Sequence, residues 1–277
     1  MIEFWHTLTD PDFAFLRLAL FVGVCASLTF GCVGTFIVAR RISYLAGAIS
    51  HCAFGGIGAG LYFQHVIGWS WFDPILGAAI TALLSAVVIG LVSLYGKQRE
   101  DSTIGALWAI GMATGLLFID RTPGSFDIFS YLFGDILLVS SADVYMMLAL
   151  NFFVLATVSL FYHKFVAICY DEEFSRLRGV NTTVFYILLL CIAALSVVLL
   201  VRVVGIVLVI ALLTLPSAIA GRFAAKLWHM MLLAVALCAL FVSSGLVISY
   251  FYSFSSGPAI ILIAGIAYVG VSIFKRR

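Results

Sequence analysis

The 277-residue chain is a succession of apolar runs, most of them about 20 residues long, divided by short connections that hold most of its charges. The runs cover approximately 13–38, 44–65, 72–95, 103–119, 142–163, 182–201, 203–220, 228–248 and 258–273. Because roughly 20 apolar residues in a helix cross a hydrocarbon layer about 30 Å thick, this pattern predicts an all-α polytopic membrane protein. Eight or nine transmembrane helices in a single domain over 1–277 are expected. With 64% apolar and 10% charged residues, little remains for a water-soluble domain. A net charge of +2 spread over helix ends leaves no basic stripe, so no nucleic acid is expected as a partner.

Basic residues follow alternate runs: Arg40 and Arg41, Lys97 and Arg99, Lys164 with Arg176 and Arg178, Arg222 and Lys226, then Lys275, Arg276 and Arg277. By the positive-inside rule they mark the cytoplasmic side. The opposite connections carry Glu3, Asp10, Asp12, Asp73, Asp120 and Asp127, with Arg121 and Arg202 as basic exceptions. Nine crossings follow, with the N-terminus outside. Arg202 alone separates two runs, however, and one residue makes a poor turn; a slipped boundary or a partial helix leaves eight. Met1–Asp12 carries acids where a signal peptide has a basic region, so the first run is expected to stay in the membrane. Six cysteines lie mostly within apolar runs and read as small hydrophobes, with Cys169 in a cytoplasmic connection.

Two stretches depart from ordinary spans. Residues 131–138 are apolar but short, with Gly134 and Asp135 at their centre, which fits a re-entrant or interfacial segment. In Leu212–Ala220, Pro216 removes a backbone donor, so a bend or interruption is expected there, with Thr214 and Ser217 satisfying the freed groups. The cytoplasmic stretch 169–179 reads as a short capped helix. Asp171 suits the N-cap, Glu172 and Glu173 the first turn, Arg176 and Arg178 the last, and Gly179 the C′ position. Phe174 and Leu177 then share one side, as a docking element or as a plain surface connector.

The chain lacks a G-x-x-x-x-G-K-[ST] loop, an H-E-x-x-H motif and a C-x-x-C motif, so no catalytic centre is expected and uphill work must draw on a partner or a gradient. His51 is the notable ionisable residue. It lies in Ser50-His-Cys-Ala-Phe-Gly-Gly-Ile-Gly-Ala-Gly60, whose glycines leave room for a neighbouring helix or a passage. A neutral imidazole there reads either as a transient ligand for a cation such as Zn²⁺ or Mn²⁺ or as a hydrogen-bonded packing group. Asn151 reads as an interhelical hydrogen-bonding residue or a passage lining, and Trp108 as an interface anchor or a packing residue.

Six segments in order resemble the permeases of bacterial metal-ion ABC importers, the ABC-3 family. They are Arg40–His51, Asp101–Gly105, Tyr131–Asp135, Asp171–Ser175 with Arg178–Val180, Val204–Ala220 and Ser256–Pro258. The resemblance implies a multi-pass protein of the bacterial plasma (inner) membrane that imports Zn²⁺ or Mn²⁺, with Fe²⁺ possible, and binds no cofactor permanently. It implies a cytoplasmic ABC ATPase dimer, a second permease copy and an extracytoplasmic metal-binding protein as partners, besides membrane lipid. It places His51 on the metal route and assigns ATPase docking to the segment holding Asp171, Glu173, Phe174, Leu177 and Gly179. The family's acid one turn before the histidine is absent; Gly47 stands there. The rival from composition is a secondary ion-coupled transporter, which would want acids buried along its route.

Overall fold

The computed structural model describes residues 14–95, 100–124, 128–134 and 139–274. Glu3, His6, Asp10, Asp12, Lys97, Arg99, Asp127, Asp135 and Lys275–Arg277 lie outside the described residues. The described residues form an all-α bundle: α1 Ala14–Ala39, α2 Ser43–Tyr62, α3 Pro74–Tyr95, α4 Glu100–Asp120, α5 Ile128–Phe133 and α6 Ser141–Tyr170, followed by α7 Glu172–Leu177, α8 Thr182–Val204, α9 Ile206–Ala220, α10 Leu227–Tyr252 and α11 Ser256–Phe274. A π-helical turn, Phe63–Ile67, extends α2 and stops at Gly68 in the left-handed region. Eight of these helices are long and apolar enough to cross a membrane, as run length predicts.

Helix α2 is the most enclosed: 83% of its most apolar 18-residue window is buried, against 22% for α4 and for α11. It packs chiefly on α4 and α3, while α1 packs on α10, α9 and α6, and α3 leans on α8. Glycines let these helices approach. A Cβ on Gly55 would stand 2.8 Å from the Gly111 carbonyl oxygen, and one on Gly111 would stand 2.7 Å from the Cys52 nitrogen. Gly58 opposes Gly115 and Gly56 opposes Gly77 in the same way. Such close seams are how helices associate where no hydrophobic drive separates them from lipid. On the outside, Leu262, Ile266, Val269 and Ile273 of α11 form an exposed apolar stripe at helical spacing, suited to lipid.

The break between the sixth and seventh runs is not at Arg202 but at Gly205, with φ 81 and ψ 160, a conformation essentially reserved for glycine. Helix α9 that follows has 15 residues, about 22 Å, less than a full span. Gly134, with φ 67, ends α5, and its backbone and that of Gly205 press together so closely that neither has room for a Cβ. A Cβ on Gly257 would run into the Phe133 carbonyl oxygen. Three of the six resembling segments thus converge at one backbone junction.

Three expectations are corrected. Helix α9 runs through Pro216 without interruption. Thr214 donates to the Ile210 carbonyl at 2.8 Å, one turn before, and the Ser217 hydroxyl has no hydrogen-bond partner, so neither caps the group Pro216 frees. Cys169 and Lys164 lie inside α6, which continues past the apolar run to Tyr170. The extension is held by contacts that a hydropathy pattern omits, such as Lys164 Nζ lying 4.7 Å from the Phe185 ring centroid.

Candidate functional site

His51 sits half-buried in the α2–α4 seam. The glycine contacts that close this seam bring Trp108 and Met112, one turn apart on α4, against its ring. The Trp108 indole stacks on the imidazole at 4.8 Å between centroids and 26° between planes. Met112 Sδ lies 3.3 Å from His51 Nδ1. Any Cβ on Gly47 would collide with the Trp108 ring, so the indole fills the space that an acid at that position would need. Cys52 turns away, its thiol donating to the Leu107 carbonyl at 3.4 Å.

The other described histidines stand in different settings. His65 Nδ1 lies 3.0 Å from the Leu61 carbonyl oxygen at the end of α2, His163 meets Tyr162 edge-on, and His229 packs on Trp228. Among the described residues no group of three His, Cys, Asp or Glu could hold a metal ion. Asn151 is an interhelical tie: it accepts from Thr29 at 2.6 Å and donates to the Cys25 carbonyl at 2.9 Å, joining α6 to α1. Among the described residues Asp143 is the only buried acid, and it forms a capping box with Ser140 at the start of α6. A cavity of about 330 Å³ between α2, α3, α5 and α8 is lined by Ile57, Asp73, Tyr131 and Val201, among others.

The short helix α7 is built by local rules. Asp171 accepts from the Phe174 amide at 2.9 Å, and Glu172 and Glu173 occupy the first turn. Gly179, with φ 80, takes the C′ position; its amide donates to the Arg176 carbonyl and that of Val180 to the Ser175 carbonyl, a Schellman motif. Phe174 and Leu177 project outward, 53% and 87% exposed, with the Arg178 guanidinium 5.0 Å from the Phe174 ring centroid.

Arg40 anchors this helix to the bundle. Just beyond α1, it pairs with Glu172, donates to the Ile168 carbonyl at 2.5 Å and lies 5.2 Å from the centroid of the Tyr186 ring. The Tyr186 hydroxyl in turn meets Ser93 of α3 at 3.2 Å. A cavity of about 400 Å³ opens between Arg40, Ser93, Leu94, Glu172, Glu173 and Arg176. The sequence marked Arg40 as a sidedness residue and as the start of a resembling segment, without its ties to α6, α7 and α8, and it did not single out Met112. The one visible signal for Met112 was spacing: Trp108, Met112 and Gly115 fall at helical intervals on the face that meets α2.

Comparisons with known proteins agree over nearly the whole length. A family model described as the ABC 3 transport family matches residues 12–275. An uncharacterised membrane protein of Synechocystis is 38% identical over 266 residues, which are 96% of this chain and 92% of that relative. The manganese transport system membrane protein MntC of Listeria monocytogenes is 30% identical over 266 residues, again 96% and 92% of the two chains. Among solved structures, PsaBC from Streptococcus pneumoniae in complex with Fab aligns with a TM-score of 0.85 at 28% identity, covering 98% of this chain and 95% of the other.

Proposed function

The chain belongs to the ABC 3 transport family and is a multi-pass membrane permease, and we propose from that premise that it carries divalent metal ions, zinc or manganese foremost and iron less so, into the bacterial cell. The chain supplies two arrangements of its helices, and a separate cytoplasmic ATPase dimer supplies the energy that switches them. A second permease copy and an extracytoplasmic metal-binding protein complete the assembly. The cation is released from that protein, passes His51 and leaves on the cytoplasmic side. Weak, short-lived coordination suits this task, since a closed ligand shell would retain the cargo.

The observation that carries the reading is the joint presence of an imidazole held in the most enclosed helix and a capped helix that turns Phe174 and Leu177 outward. Asp171, Glu173, Phe174, Leu177 and Gly179 form the docking element, in which Asp171 and Gly179 set the helix ends and Phe174 and Leu177 are the apolar contacts. A secondary transporter is the poorer reading because, among the described residues, the only buried acid is spent on a helix cap. In reconstituted vesicles, uptake of zinc or manganese is expected only with ATP, the ATPase and the binding protein together. Equal uptake without ATP would refute the proposal.

A further inference from the structure

The polar neighbour that His51 meets is a sulfur. Its Nδ1 lies 3.3 Å from the Met112 thioether, while Trp108 covers the ring and occupies the volume beside Gly47 where an acid would have to stand. The adjacent thiol of Cys52 is engaged with the Leu107 carbonyl. Resting on the reading of this chain as a metal-ion permease, we infer that Met112 is a specificity residue. With His51 it forms a nitrogen–sulfur station that favours soft and borderline cations, zinc over manganese.

The geometry suits such a station. A tetrahedral zinc ion with bonds of about 2.1 Å to nitrogen and about 2.3 Å to a thiolate sulfur holds such donors roughly 3.6 Å apart, and a little farther for the longer bond to a thioether. The observed separation of 3.3 Å needs to open by at least about 0.3 Å, an adjustment within reach of the three-torsion methionine chain. Imidazole and thioether donors match zinc and softer ions, whereas manganese prefers carboxylate, carbonyl and water oxygens. With two protein donors and the remaining positions left to water, the ion can still leave. The α2–α4 glycine contacts hold the two donors on facing helices, so relative movement of those helices would form and break the station.

The test uses the complete transporter, with Cd²⁺ as the soft probe. Uptake of Cd²⁺, Zn²⁺ and Mn²⁺ into vesicles is measured at matched free concentrations, and Cd²⁺ binding to the purified permease–ATPase complex is titrated in parallel. Met112→Leu conserves volume and removes the sulfur. It is expected to weaken Cd²⁺ binding by about tenfold and to lower the Cd²⁺:Mn²⁺ and Zn²⁺:Mn²⁺ uptake ratios. Gly47→Asp combined with Trp108→Ala supplies a carboxylate with room to stand and is expected to raise Mn²⁺ uptake relative to Zn²⁺. Unchanged Cd²⁺ binding and unchanged ratios in both variants overturn the inference and leave Met112 as a packing residue. Wild-type vesicles that accumulate none of the three cations with ATP overturn instead the permease reading beneath it.

Discussion

Arg40 and Glu172, 132 positions apart, form an ion pair that ties the end of α1 to the first turn of α7. The same guanidinium holds the last turn of α6 through the Ile168 carbonyl and lies over Tyr186 of α8. Three residues after Arg40, α2 begins and leads to His51. A displacement of α7 therefore has a short connection, through Arg40, to the helix that carries the imidazole.

Arg40→Ala is expected to cut metal uptake per ATP hydrolysed severalfold while ATPase assembly persists, and to destabilise the permease by about 1–3 kcal/mol through the unpaired groups it leaves. Paired exchange, Arg40→Glu with Glu172→Arg, should recover part of the coupling. Measured uptake-to-hydrolysis ratios that match the wild type in Arg40→Ala would remove Arg40 from the coupling route.

Phe174→Asp should weaken capture of the ATPase subunit by the purified permease and leave folded yield unaltered, since Phe174 is more than half exposed. Asp171→Ala should act differently, costing about 1 kcal/mol of helix stability through loss of the N-cap. Co-purification and thermal melting in detergent separate the two effects.

Gly205→Ala is expected to lower stability by about 1–3 kcal/mol or more, because its backbone conformation excludes a Cβ and Gly134 leaves no space for one. Gly270→Ala serves as the control: nothing lies within 4 Å of a Cβ built there. Equal melting temperatures for the two variants would contradict the junction described.

His51→Ala should reduce transport far more than folded yield, whereas Asn151→Leu should do the reverse. The asparagine joins α6 to α1 through two hydrogen bonds, and interhelical bonds of this kind contribute about 0.6–2 kcal/mol in a membrane. Uptake normalised to the amount of folded protein decides between the two patterns, and a normal rate in His51→Ala would assign that residue to packing.

Much of the helical scaffold was legible from residues 14–274 read one neighbour at a time. Asp171 and Gly179 could be placed at helix ends because capping involves residues three or four positions apart. Gly205 was harder to see. Arg202 drew attention as the lone polar residue between two runs, yet a polar residue does not break a helix, whereas the glycine three places on adopts a backbone conformation others avoid. The proline in α9 misled for a related reason: one missing donor is tolerated when the surrounding helix is packed on α1, α10 and α11.

The sequence by itself determined that the chain enters lipid as about eight helices and that a capped segment stands between α6 and α8. Apolar run length and capping act over a few neighbouring positions, so they survive in the linear order of residues. Only the tertiary structure decided that His51 meets Met112 and Trp108, that Arg40 holds Glu172, and that Gly134 backs onto Gly205. Each of those pairs joins residues more than 55 positions apart, and which helix faces meet is settled by glycine seams and side-chain volumes acting across the whole bundle.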